Sequence, residues 1–150
     1  MCGKFFEDFE LGERYRSPGR TVTETDIVTF AMLSGDWNSI HVDDVYAQDS
    51  LFGKRVAHGL LLLSIMSGMW VRLGVFEGSV IAFYGIDRLR FTKPVFSGDT
   101  IHLEMEIKEK REKDEKGGIL VCNNNIINQK GDIVLVCDTL LLIKKKRPNS

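Results

Sequence analysis

The stretch Gly59-Leu60-Leu61-Leu62-Leu63-Ser64-Ile65-Met66-Ser67-Gly68-Met69-Trp70-Val71-Arg72-Leu73 decides the fold. It holds no proline and no acidic residue, and most of its side chains favour helix. As one helix it spans roughly 22 Å, enough to lie along a whole small sheet. Apolar side chains point in almost every direction around it. A helix without a polar face must be covered on all sides, so the rest of the chain has to wrap it. Arg72 interrupts the run, and the remainder is short for a membrane span, which takes about 20 apolar residues.

The wrapping material lies C-terminal to this helix. Ile101, Leu103, Met105 and Ile107 alternate with His102, Glu104, Glu106 and Lys108, the pattern of a half-buried strand. Residues 80–84 and 89–91 add strand. Residues 133–137 and 140–143 are nearly continuous apolar, as in a central strand covered on both faces. Residues 113–118 and 129–132 read as turns, and Gly98-Asp99 as another. His102 falls on the outward side of its strand.

On the N-terminal side, a turn at Leu11-Gly12 precedes an edge strand over 14–22, broken by Pro18-Gly19. Thr23-Glu24-Thr25-Asp26 has the form of a capping box. Ile27, Phe30 and Ala31 then recur at helical spacing, which predicts a helix over 24–33. Residues 34–42 read as loop, 43–48 as a short helix with Asp43 and Asp44 in its first turn, and 51–57 as loop. These elements make an α+β domain, a curved antiparallel sheet wrapped around one long buried helix. One domain fills residues 1–150, with an ordered core over 5–143 and a basic tail over 144–150.

The formal net charge of −1 gives no electrostatic reason to bind nucleic acid. Lys144-Lys145-Lys146-Arg147 is the one basic cluster and reads as a solvated tail. Cys2, Cys122 and Cys137 are widely spaced with no CxxC, so neither a disulfide framework nor a zinc knuckle is expected. Cys122 and Cys137 read as small core residues. Phe5-Phe6 is followed at once by Glu7-Asp8, unlike a secretory leader, and a cytoplasmic protein fits best.

The chemistry concentrates in Ser34-Gly35-Asp36-Trp37-Asn38-Ser39-Ile40-His41. Asp36 and His41 are five apart, which is no same-face helical spacing, so a loop has to bring them together. A carboxylate and an imidazole at one point make a general acid/base pair. Val56-Ala57-His58-Gly59 follows and opens the central helix. A free backbone amide at such a helix start can bind developing negative charge. His58 reads as a structural residue at the helix entry. Asp36, His41, Asp43 and His58 match no metal-binding spacing, so neither a metal nor a cofactor is expected.

This order of elements, with Ser-Gly-Asp-aromatic-Asn-x-x-His and then His-Gly-Leu-Leu, resembles the MaoC-like dehydratase family, whose best-known members are (R)-specific enoyl-CoA hydratases. The stretch Arg90-Phe91-Thr92-Lys93-Pro94-Val95-Phe96-Ser97-Gly98-Asp99 also resembles the family's segment after the central helix. The resemblance implies a hot-dog fold paired into a homodimer or higher assembly. It also implies reversible hydration of 2-enoyl thioesters of CoA or acyl carrier protein to (R)-3-hydroxyacyl thioesters. It assigns catalysis to Asp36 and His41, the oxyanion hole to Gly59, and support to Asn38 and Ser67. Ser39 stands where the family commonly has proline, and Trp37 is larger than the usual phenylalanine. A bulky Trp37 beside the chemistry predicts a short acyl group. Lys54, Arg55 and Lys93 flank the site and are candidates for the CoA phosphates. A hot-dog thioesterase and a non-catalytic acyl-thioester binding subunit are the alternatives. The first is disfavoured because residues 59–75 contain no Asp or Glu.

Overall fold

The computed structural model describes residues 3–146. A one-turn 3-10 helix, Phe6–Asp8, leads into strands β1 (Arg14–Arg16) and β2 (Arg20–Thr21). Helices α1 (Glu24–Ser34), α2 (Ser39–Val42), α3 (Asp44–Gln48) and α4 (Gly59–Leu73) follow. Strands β3 (Val80–Phe91), β4 (Thr100–Glu112), β5 (Gly117–Asn128) and β6 (Ile133–Lys144) complete the chain. The sheet is antiparallel in the order β1-β4-β5-β6-β3, with β2 also paired to β4.

Local chemistry sets the element ends. Thr23 and Asp26 form the expected capping box: the Asp26 amide donates to Thr23 Oγ1 and the Thr23 amide to the Asp26 carboxylate. Gly35, at φ 76°, closes α1 in a left-handed conformation that side chains resist. Between β5 and β6, the Asn128 side-chain oxygen accepts from the amides of Lys130 and Asp132.

The core lies between α4 and the concave face of the sheet. Leu62, Met66 and Met69 of α4 are buried against Leu103, Met105, Cys122, Ile126, Leu135 and Cys137. Burial pushes the Cys122 thiol up to about 12 and the Cys137 thiol up to about 11. Asn124 also faces inward, and all its polar atoms are used. Its oxygen accepts from Trp70 Nε1 at 3.0 Å, and its nitrogen donates to the Cys122 carbonyl at 2.8 Å and to Thr139 Oγ1 at 2.9 Å.

Four sequence expectations change. Residues 34–42 are not all loop, because Asn38 caps one helical turn that carries His41. Residues 80–84 and 89–91 are one strand, which continues through an irregular stretch where Arg88 takes φ 55°. The sheet covers only one side of α4, leaving Leu60 and Val71 exposed at 57% and 69%. The tail begins later than 144: Lys144 ends β6, while Lys145 pairs with Glu112 and Lys146 with Asp8. Residues 147–150 and Cys2 lie outside the described residues. No described helix is long and apolar enough to cross a membrane.

The Asn124 cluster gives a stability test. Asn124→Ala strands the Trp70 N–H and the Thr139 hydroxyl in the core. Urea unfolding is expected to show a loss of about 1–3 kcal/mol. An unchanged midpoint would mean that the three bonds add nothing.

Candidate active site

Three segments converge on the first turn of α4. Asp36 lies in the short link between α1 and α2, directly after Gly35. Its amide donates to Ser34 Oγ at 3.2 Å, and its Oδ1 accepts the Asn38 amide at 3.3 Å. Asn38 in turn caps α2 and receives the Ile40 amide at 3.2 Å. That turn delivers His41, half-buried, toward the 51–57 loop.

His41 Nδ1 lies 2.6 Å from the Val56 carbonyl oxygen. A carbonyl only accepts, so Nδ1 carries a hydrogen. In the neutral ring Nε2 is then bare and available as a base. His58 follows the same logic in reverse. Its Nε2 lies 3.0 Å from the Asp36 carbonyl oxygen, so Nε2 carries the hydrogen. The two imidazoles stack with ring centroids 3.7 Å apart, and the Phe30 ring packs against His58 at 4.9 Å with a 57° tilt. His58 is 2% exposed.

Donor atoms of Asp36, His41 and His58 all lie within 4.8 Å of one another. The stacking does not suit a shared ion. Ring planes 27° apart and stacked at 3.7 Å keep their in-plane lone pairs in separate layers, which do not converge within a metal–nitrogen bond length of both rings. Asp43 stays apart and caps α3 by accepting the Tyr46 amide at 2.9 Å.

Gly59 begins α4 immediately after His58. The first amides of a helix have no intrahelical partner, and they sit at the positive end of its dipole. A Cβ on Gly59 would lie 2.9 Å from the tip of the Phe91 ring, so a side chain here would push that half-exposed ring aside. Beside it a cavity of about 350 Å³ is lined by Ile40, His41, Phe52, Gly59, Leu62 and Phe91, among others.

Among the other candidates, Lys93 lines this cavity, while Ser67 and Trp37 do not. Ser67 is exposed on α4, and its hydroxyl donates to the Ser64 carbonyl at 2.7 Å, not to Asp36. Trp37 is 52% exposed and does not line the cavity beside His41 and Gly59. Leu62 and Met66 are core, as is most of that helical stripe. The three basic candidates are already engaged. Arg55 pairs with Glu24 and Asp44 at 2.5 Å each, Lys93 pairs with Asp132 at 2.5 Å, and Lys54 lies over the Phe96 ring at 4.4 Å. What the sequence reading missed is the contact of His58 with both members of the pair. Its only signal was a histidine placed directly before the glycine that opens α4.

An antiparallel sheet packed on one long helix, with Asp36 and His41 close together at the helix head, defines a hot-dog domain. A solved Mycobacterium tuberculosis protein described as a double hot-dog shares the fold, with TM-score 0.86, 18% identity, and coverage of 99% of this chain and 46% of that one. The model of the MaoC like domain matches residues 8–127, and the chain belongs to that family. It is 45% identical to Protein MaoC of Klebsiella aerogenes over 75% of this chain and 33% of that protein. It is 39% identical to an (R)-specific enoyl-CoA hydratase of Rhodospirillum rubrum over 65% of each. It is 30% identical to a 3-hydroxybutyryl-CoA dehydratase of Methylorubrum extorquens over 95% of this chain and 85% of that one. The match thus spans a third of the first relative and just under two thirds of the second. A solved Archaeoglobus structure, described as a monoamine oxidase regulatory protein, superposes with TM-score 0.92 at 41% identity over 98% of both chains.

Burial lowers the His58 pKa from its ordinary 6.5, and the charge of a protonated His41 lowers it further. The unfolded chain therefore binds a proton that the folded chain refuses. Stability from this group is present above about pH 6.5 and is lost as pH falls below it. Thermal midpoints of the wild type are expected to drop between about pH 7.5 and pH 5.5, and to drop less in His58→Phe. Equal drops would remove His58 as the source.

Proposed function

We propose that this chain adds water to 2-enoyl thioesters, giving (R)-3-hydroxyacyl thioesters, and catalyses the reverse dehydration. The observation that carries the reading is the 2.6 Å contact of His41 Nδ1 with the Val56 carbonyl, in a ring grouped with Asp36 at the head of a long helix. That contact places a hydrogen on Nδ1 and leaves Nε2 bare in the neutral ring. The relatives named as a hydratase and a dehydratase support the same chemistry.

A water molecule held between Asp36 and His41 Nε2 supplies the oxygen that bonds to carbon 3. One of its protons passes to the pair, and a proton from the pair goes to carbon 2. The carbon–carbon π bond is consumed, and the pair ends as it began. Negative charge grows on the thioester oxygen as carbon 3 is attacked. The Gly59 amide answers it, and losing one such donor typically costs about 3–4 kcal/mol of activation energy. Asn38 supports the reaction by capping the turn that carries His41. The thioester carrier is CoA or acyl carrier protein, the working compartment is the cytoplasm, and no cofactor enters the steps.

The working unit is a homodimer or a multiple of it. β3 ends the sheet with a free edge of 12 residues. Ile81, Phe83 and Tyr84 are exposed along it. Between β3 and the uncovered side of α4 lies an apolar cavity of about 490 Å³, lined by Leu63, Trp70, Val71, Val80 and Phe83. Such an edge beside such a face calls for a second sheet. Light scattering at micromolar concentration is expected to give at least twice the chain mass, in even multiples, and Phe83→Glu to shift it toward the monomer. A monomeric wild type would contradict this.

Absorbance of a short 2-enoyl-CoA is expected to fall without release of free thiol. Thiol release would favour a thioesterase, and no change of either kind a binding subunit. Asp36→Asn and His41→Gln should each remove most turnover, with the double variant little worse, as for groups sharing one step. Near wild-type turnover in either folded single variant would remove the pair from the mechanism. Phe91 and Leu62 bound the cavity, so Phe91→Ala should raise relative activity on longer acyl chains, each methylene being worth roughly 1–3 kcal/mol. An unchanged chain-length profile would place the acyl group elsewhere.

A further inference from the structure

His58 has no part in the proton transfers above, yet it touches both groups that make them. Its Nε2–H donates to the backbone carbonyl of Asp36 at 3.0 Å. Its ring lies face to face with His41 at 3.7 Å between centroids and against Phe30 at 4.9 Å. It is the N-cap residue of α4, but its side chain makes no capping bond to the helix. A histidine spared from capping and turned toward the pair is held there by those other contacts.

We propose that His58 is a positioning residue, a permanently neutral imidazole that ties the Asp36 segment to the head of α4 and backs the His41 ring. The geometry explains the neutrality. Nδ1 is buried with no hydrogen-bond partner among the described residues. A bare acceptor nitrogen tolerates that place, whereas a second N–H would be a buried donor with nothing to bond. The titratable groups acting on the ring are Asp36 and His41, and Phe30 on its remaining face is uncharged. Burial opposes a charge on the ring most strongly; the bond to the Asp36 carbonyl and the Asp36 charge favour one, and a protonated His41 opposes it. The plate behind the general base therefore never competes for the proton being moved. The tether sets where Asp36 stands, since its carbonyl is fixed by His58 while its carboxylate is steadied by the Asn38 amide.

The kinetic part of this proposal rests on the hydration reading, and the spectroscopic part does not. The chain has three histidines, so imidazole NMR signals are assignable by single substitution. In the wild type, His58 is expected to stay in the neutral Nε2–H form between about pH 8 and pH 5.5. Titration of His58 in that range, or a hydrogen on Nδ1, would overturn the proposal. His58→Phe keeps the plate and loses the donor, while His58→Gln keeps a donor amide at nearly the same reach. Amide hydrogen exchange over residues 35–41 is expected to quicken in the phenylalanine variant and to stay closer to wild type in the glutamine variant. Equal protection in wild type and His58→Phe would overturn the tether.

In enoyl-CoA turnover, His58→Phe should lose on the order of 10- to 100-fold in kcat with little change in KM, as for a small misplacement of reacting groups. His58→Gln should recover much of the loss, and the acid limb of the kcat/KM profile should persist in both. A phenylalanine variant at wild-type kcat would reduce His58 to packing, and loss of the acid limb would make it a proton carrier. A wild type that turns over no enoyl thioester would end the hydration reading alone, with the NMR and exchange measurements still deciding the role of His58.

Discussion

An apolar helix cannot stand in water, and the burial of α4 sets the terms for the rest of the chain. Long strands β4, β5 and β6 carry inward rows of Ile, Leu, Met and Cys because they must meet Leu62, Met66 and Met69. The helix body is thereby enclosed on its sheet side, but its first turn cannot be. The leading amides lack partners within the helix, so they need polar company. The Asp36 and His41 segments, the polar part of the chain, come to that end of the helix, where His58 Nε2 donates to the Asp36 carbonyl. The site therefore sits where the core has to stop being apolar.

The same constraint explains which features were readable beforehand. The bounds of α4 follow from composition alone, and the capping box before α1 from four consecutive residues. Both depend on neighbours in sequence. The open side of α4 was not readable, because an all-round apolar helix states that it must be covered and not by which chain. Nor was the continuity of β3, whose Gly85–Arg88 stretch breaks alternation and passes through a positive φ at Arg88. The approach of Asp36 to His41 was legible, because a polar, glycine-marked stretch at non-helical spacing has to turn and bring them together. Trp37 misled, since adjacency in sequence to Asp36 says nothing of direction on a loop. Trp37 is half-exposed, while Phe91, 54 residues further along, packs on Gly59.

Charge shows a similar limit. Arg55, Lys54 and Lys93 are basic residues near the site in sequence, and a count of cations would offer them to an anionic nucleotide. In the folded chain each has another occupation. Arg55 bridges Glu24 and Asp44 and so ties the start of α1 to α3 and the loop after it. Using that guanidinium for a phosphate would mean breaking two ion pairs first. Such exposed pairs are individually weak. Together they hold two segments on either side of the Asp36 link, and their loss would loosen the site they flank.

Protonation at the site is written by the path of the backbone. Two carbonyl oxygens, those of Val56 and Asp36, each meet one imidazole nitrogen, and neither can donate. One fixes the hydrogen of His41 on Nδ1, and the other fixes the hydrogen of His58 on Nε2. The two rings consequently differ in tautomer although they are chemically identical and stacked together. In His41 the bare nitrogen is Nε2, on a half-buried ring that lines the cavity; in His58 it is Nδ1, shut inside the protein. Residue type and spacing separate the roles expected of His41 and His58, but only the folded main chain shows which nitrogen of each ring is left bare.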